Sequence, residues 1–256
     1  MTLKERFKKG LTDLGAKSGD NLMIHCSYKA LGEKIEAKEI FEAILEVLGK
    51  DGTLIMPAFS YSLVTYEQTV FDKEKTPSCV GFLPEYFRTE VDGVKRSLHA
   101  THSCCVIGKN AEYFIKDHEL DATPVGENSP LAKLPKMGGK ILILGSHPDH
   151  NTALHGVEEK AGAPYPINRE RVVNYTLKDD EKEIIRPSYR HDFHKADCEI
   201  EQKYERIIPL LSEEEHKTGK ILCADSHLMS AAAVWEKGVA AIKKDPFFFV
   251  NIISKA

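Results

Sequence analysis

The chain has 256 residues, enough for one large domain or two small ones and for a substantial core. Hydrophobic residues make up 42% and charged residues 29%, the balance of an ordinary globular enzyme. A net charge of −4, from 35 basic and 39 acidic side chains, argues against a nucleic-acid binder and is compatible with a cationic substrate.

The six cysteines, Cys26, Cys79, Cys104, Cys105, Cys198 and Cys223, contain no C-x-x-C pair, which argues against a zinc ribbon or a thioredoxin-like site. As small apolar residues they read mostly as core. The N-terminal stretch has no signal-peptide core, and no run approaches the ~18 apolar residues that a membrane helix needs. The expectation is a reduced, cytoplasmic protein without a nucleic-acid or membrane partner.

Along the chain, Leu3, Phe7, Leu11 and Leu14 recur at helical spacing, and Gly15 can end that helix. Residues 21–27, NLMIHCS, read as a buried strand. Residues 37–49 predict an amphipathic helix with Ile40, Phe41, Ile44, Leu45 and Leu48 on one face. Asp51-Gly52 then turns the chain into a strand over 53–60 that Pro57 limits. Residues 61–80 read as irregular, and 83–90 as a short helix with Pro84 in its first turn. Residues 102–108 read as a third buried strand, and AEYFIKDH as another short helix. A loop and short helix over 125–139 lead into KILILG, 140–145, the most apolar strand. From 169 to 190 the pattern alternates as a hairpin, with Val173, Tyr175 and Leu177 on one face, Val172, Asn174 and Thr176 on the other, and KDDEKE at the tip. The tail reads as helical over 199–211 and again over 226–246. This order predicts an α/β layered fold and one domain over residues 1–256.

Four stretches carry residue types suited to chemistry. IHCSYKALG, 24–32, ends a strand in Ser27, Tyr28 and Gly32, the kind of place where backbone N–H groups bind phosphates; the alternative is a plain connecting loop. RSLHATHSCCVIG, 96–108, sets His99 and His102 before a strand, at a spacing that matches no metal signature. SYRHDFHKAD, 188–197, gathers His191, Asp192, His194 and Asp197, the densest ligand-like cluster, but without H-E-x-x-H spacing. NTALHGVEE, 151–159, follows the KILILG strand. Asn151 or Thr152 there can cap a helix with acids in its first turns. His155 there suits proton transfer near neutral pH. A carboxylate or carbonyl must fix its tautomer; Glu158, three residues on, is one candidate, beside Asp149, Asp192 and Glu127.

With these stretches in order (LMIHCSYKALG, DGTLIMPAFS, HATHSCCVIG, TPVGENSPLAKLPKMGGKILILG and NTALHGVEE) the sequence resembles the aminoglycoside 3-N-acetyltransferases, the antibiotic N-acetyltransferase family. The resemblance is close over residues 20–160 and looser beyond. It implies a layered α/β/α domain around a central mixed sheet, and metal-free acetyl transfer from acetyl-CoA to an amine such as the 3-amino group of a 2-deoxystreptamine aminoglycoside. It implies His155 as general base, with Thr152 beside the thioester. It implies Ser27, Tyr28, Lys29 and Ala30 near the pyrophosphate or pantetheine, and Phe59, Ser60, His99, Thr101, His102 and Ser103 along the cofactor groove. Two departures stand out: HAT replaces H-P-T, and residues 161–200 differ from the drug-modifying members, which leaves the acceptor open between antibiotic and metabolite and makes Asp192 one candidate for the histidine's partner.

The chemistry agrees with this. An ammonium cannot attack a thioester, so a base must take its proton, and a hydroxyl such as that of Thr152 can serve the oxyanion. Cys104 and Cys105, in an apolar strand, read as packing rather than as acyl carriers. The rival class is a metal-dependent hydrolase built on the 191–197 cluster with His99 or His102. Oligomeric state stays open, a homodimer included.

Overall fold

The computed structural model describes residues 1–193 and 198–254. In chain order it forms helix α1 (Leu3–Leu14), strand β1 (Asn21–Cys26), helix α2 (Ala37–Leu48), strands β2 (Thr53–Pro57) and β3 (Val70–Asp72), and helix α3 (Phe82–Glu90). Strands β4 (Lys95–Arg96) and β5 (Cys104–Gly108), helices α4 (Ala111–Ile115) and α5 (Pro130–Lys133), strand β6 (Lys140–Leu144) and helix α6 (Ala153–Ala161) follow. The chain then forms β7 (Ile167–Asp179), β8 (Lys182–His191), β9 (Cys198–Gln202), β10 (His216–Ile221), β11 (Ala224–Ser230), helix α7 (Ala231–Lys244) and β12 (Val250–Ser254).

The main sheet has seven strands in the order β10-β11-β6-β1-β2-β5-β4. Its centre, β6-β1-β2, is parallel, and the flanking pairs are antiparallel, so the sheet is mixed. Because successive side chains on a strand take opposite faces, Leu22 and Ile24 of β1 join one core while Met23 joins the other. Phe7, Leu11, Phe41 and Ile44 of α1 and α2 cover the first face. Leu154, Val157, Val234 and Ile242 of α6 and α7 cover the second. Cys105 and Cys104 divide in the same way, and burial pushes both thiols well up, Cys105 to about 12. Neither is a thiolate at neutral pH, in keeping with packing.

The layering also creates a crevice. Strands β1 and β6 are parallel neighbours, yet the helix after β1 lies on one face and the helix after β6 on the other. The two loops part at the strands' carboxyl ends, where open α/β sheets bind ligands. They approach closely at Gly145 (φ +69°), where a Cβ would come within 2.6 Å of the Ala30 methyl.

A smaller sheet, β3-β7-β8, leans over this end, with Val173, Tyr175 and Leu177 buried on the predicted face of the hairpin. Three expectations are corrected. The 61–80 segment is not wholly irregular, since Val70–Asp72 pairs with β7. Residues 199–202 belong to strand β9, paired with β12, before a 3-10 turn over Tyr204–Leu210. Residues 224–230 form β11 beside β6, and the last helix starts only at Ala231, where Ser230 Oγ accepts the Ala233 N–H. In β11 the buried Ala224, Ser226 and Leu228 alternate with Asp225 and His227, a two-residue period that the helical reading passed over. No helix among the described residues is long and apolar enough to cross a membrane.

Candidate active site

At the carboxyl end of the parallel strands lies a cavity of about 770 Å³. Its walls come from the end of β1 (His25 to Lys29), the loop after β2 (Phe59 and Tyr61), the start of α3, the loop before α6, and the end of β8. His155 projects into it from the first turn of α6. The helix start is set by Asn151, whose Oδ1 accepts the Ala153 N–H. Thr152 makes no capping bond, and its buried Oγ1 has no partner among the described residues.

The His155 ring is held from behind. Its Nδ1 lies 2.7 Å from the Tyr204 hydroxyl and 3.4 Å from Glu158 Oε2. The same hydroxyl donates to Glu158 Oε2 at 2.9 Å, and Tyr165 donates to Glu158 Oε1 at 2.8 Å. Burial first, and then the Glu158 carboxylate, pushes the Tyr204 phenol well above its ordinary value, so it keeps its proton and donates its O–H in a hydrogen bond to Glu158. Its lone pair is left for an N–H on His155 Nδ1. This places the imidazole's free lone pair on Nε2.

Beside it stands a second imidazole. His191 Nε2 lies 2.7 Å from Glu159 Oε1, which also accepts the Val125 N–H, and the His191 and His155 rings are 4.7 Å apart. Burial holds His191 below its ordinary value despite Glu159. Burial would raise Glu159, but the His191 hydrogen bond and charge and the Val125 N–H outweigh it and hold the carboxyl below its usual range. His102 lies 4.9 Å from His191, its Nδ1 2.9 Å from Thr101 Oγ1, and burial, with its histidine neighbours, keeps it far below its ordinary value.

Of the residues expected from sequence, Ser27, Tyr28, Lys29, Phe59, Thr101, His102, Thr152, His155 and Asp192 share this cavity wall. Glu158 stands behind His155. Asp192 accepts from Asn168 Nδ2 at 3.1 Å, so it lines the cavity while Tyr204 and Glu158 hold the His155 ring. Asp149 instead receives the Glu205 N–H and faces His147, and Glu127 reaches out to Lys160. Ala30, Ser60, His99 and Ser103 are not on the wall. Ala30 packs in the first core; Ser60 donates to the Ala100 carbonyl at 2.7 Å, and Ser103 to the Ala58 carbonyl at 2.9 Å. His99 is buried against His118, and its Nδ1 accepts the Thr101 and His102 N–H groups. These four fix the loops that carry the wall.

Of the 191–197 cluster, His194 and Asp197 lie outside the described residues. His191 and Asp192 face the same cavity but bond to Glu159 and Asn168. Among the described residues, a metal-like grouping occurs at His147, Asp149 and Glu205, which pair with one another. The sequence reading passed over Tyr204 and Tyr165 and gave Glu159 no role. Tyr204 lies in the tail read as uniform helix, 49 positions from His155, and no local spacing marks it.

A mixed layered sheet with a buried histidine and unpartnered hydroxyls at its switch point is a framework suited to group transfer. The family model described as aminoglycoside 3-N-acetyltransferase matches residues 23–243, and the chain belongs to that family as an acyltransferase of this type. Aminoglycoside N(3)-acetyltransferase VII of Streptomyces paromomycinus is 30% identical over 93% of this chain and 90% of its own length. The structure of AAC-IIIb in binary complex with CoASH matches with a TM-score of 0.79 at 28% identity, covering 94% of this chain and 96% of that one. A histidine-to-alanine variant of AAC(3)-IVa in complex with a gentamicin gives 0.79 at 25% identity, covering 96% and 90%.

Proposed function

We propose that the protein, as one catalytic domain, transfers the acetyl group of acetyl-CoA to a primary amine of an amino sugar, the 3-amino group of aminoglycosides or that of a related amine, in a ternary complex. The observation that carries this is the Glu158–Tyr204–His155 arrangement, which leaves His155 Nε2 free towards a cavity large enough for two reactants. The likeness to a CoASH-bound acetyltransferase supports acetyl-CoA as donor.

His155 Nε2 takes a proton as the amine nitrogen bonds to the thioester carbonyl carbon. The resulting imidazolium is stabilised through Tyr204 and by the Glu158 carboxylate. The carbonyl oxygen becomes an oxyanion, for which Thr152 Oγ1 and Ser146 Oγ, both buried on the wall without partners among the described residues, are donors in waiting. Collapse breaks the carbon–sulfur bond, and His155 returns its proton to the departing thiolate. Holding both reactants in one cavity removes much of the barrier without an enzyme nucleophile. At the cavity mouth Ser27 and Lys29 suit phosphate, and the Tyr28 and Phe82 rings, 5.2 Å apart, suit the pantetheine arm.

The test is release of free thiol from acetyl-CoA across an aminoglycoside and amine panel, with CoA binding followed by calorimetry. Absence of CoA binding rejects the reaction class. CoA binding and turnover confined to other amines rejects the aminoglycoside acceptor alone.

A further inference from the structure

The cavity wall carries a cation that the acetyl-transfer chemistry does not use. Arg190, near the end of β8, lines the cavity next to His191. Its guanidinium is fixed rather than free. Nη1 donates to the Val64 carbonyl at 2.5 Å and the Tyr175 hydroxyl at 3.0 Å, and Nη2 donates to the Tyr61 carbonyl at 2.8 Å. These neutral acceptors leave its charge uncompensated. Nε–H and the second Nη2–H have no acceptor among the described residues, and Arg190 forms no ion pair there.

The surroundings add to this charge. Arg190 lies 5.3 Å from the Tyr66 ring, and Arg171 lies 3.9 Å from the same ring, so two guanidiniums flank one aromatic. Arg171 likewise forms no ion pair among the described residues. Against these, the wall offers two carboxylates: Asp149, which accepts the Glu205 N–H and faces His147, and Asp192, whose partner is the neutral Asn168 amide. A polycation would meet these two carboxylates but also at least one fixed positive charge. A fork of unpaired N–H groups suits an oxyanion.

We infer that Arg190 is an acceptor-specificity residue that binds a carboxylate or phosphate carried by the same molecule whose amine meets His155. This inference rests on the acetyl-transfer reading and, between its two acceptors, selects the related amine, one that bears an oxyanion, over an aminoglycoside. His155, His191 and Arg190 line one cavity, so an amine at His155 and an oxyanion at Arg190 can belong to one bound molecule.

The experiment measures binding and turnover of three probes on the CoA-bound and acetyl-CoA-bound protein: glucosamine, glucosamine 6-phosphate and glucuronic acid 2-amine (the carboxylate counterpart), with gentamicin as the polycation. The comparison of phosphate and carboxylate probes identifies which oxyanion is preferred. One charge-assisted pair corresponds to about tenfold or more in affinity. The expected result is at least that preference for one of the anionic probes over glucosamine, lost in Arg190→Gln, with the KM for acetyl-CoA unchanged. Equal binding of glucosamine, a preference that survives Arg190→Gln, no binding of either anionic probe, or a raised acetyl-CoA KM in the variant overturns the assignment. Loss of acetyl-CoA binding in the wild type instead overturns the underlying reaction, so the two failures are told apart. Arg190→Lys, which keeps charge but not the fork, checks that a folding defect is not the cause and is expected to restore part of the preference.

Discussion

Tyr204→Phe isolates the proposed relay, because it removes one oxygen and keeps the ring that packs at 6.1 Å from Phe249. In the wild type, His155 Nδ1 has the phenol oxygen at 2.7 Å and Glu158 Oε2 at 3.4 Å. The variant keeps only the longer contact, beyond the usual 2.7–3.2 Å range. Glu158 also loses one donor while keeping Tyr165 at 2.8 Å. A hydrogen bond to a charged group contributes about 1.5–3 kcal/mol, and the charge on His155 peaks in the transition state. At about 1.4 kcal/mol per tenfold, kcat should fall roughly 10–100-fold. Thiol release at saturating acetyl-CoA gives kcat, and calorimetry gives CoA affinity, expected within twofold of wild type. A folded Tyr204→Phe protein with kcat within twofold of wild type would show that Glu158 orients the ring unaided, and the relay would be rejected.

His155→Gln should lower kcat by about two to four orders of magnitude with CoA affinity little changed, and a folded variant turning over at the wild-type rate removes His155 from the mechanism. Stability should fall on mild acidification. His25 and His99 are held down to about 3 and about 4, and His102, His118 and His191 also lie below their ordinary value, all chiefly by burial. The unfolded chain therefore binds more protons between about pH 6.5 and the folded values, so the stability these neutral histidines contribute is complete above that pH and lost as pH falls through the window. Urea midpoints that stay level from pH 7.5 to 5.5 would contradict it. Gly156→Ala should lower both Tm and activity, because its Cβ would sit 2.6 Å from Trp235 Cζ2 and 2.7 Å from Val125 Cγ1, in the helix turn that carries His155. Such overpacking costs about 1–3 kcal/mol, several degrees of Tm in a scanning measurement, and an unchanged Tm would mean that the α6–α7 contact yields freely.

What the sequence discloses and what it hides follows from the range of each interaction. Helices α1 and α2 are legible because their apolar faces repeat within a single turn-by-turn pattern, and the hairpin face of Val173, Tyr175 and Leu177 because burial alternates along one strand. His155 and Glu158 are legible for the same reason: three residues apart on one helix, they must meet. Strand β11 was hidden behind a helix signal that begins immediately after it, since the alanines from Ala231 onward dominate any window that also includes Leu228 and Met229. Tyr204 was hidden more deeply. Its place depends on β9 pairing with β12, register Gln202 to Val250, which carries the following turn beneath α6. A pairing between segments 48 positions apart leaves no periodic trace in either segment. The same limit explains Ser60, His99 and Ser103. Their residue types suit a groove, but their bonds to Ala100, Ala58 and the 101–102 backbone turn them inward. Composition marks which loops carry polar chemistry; only the tertiary path decides which side of the loop faces substrate. Arg190 shows the same limit from the other side. Its neighbours His191 and Asp192 drew attention as metal ligands, yet the residue beside them, fixed by three neutral acceptors, is the one whose charge the fold leaves for a ligand to meet.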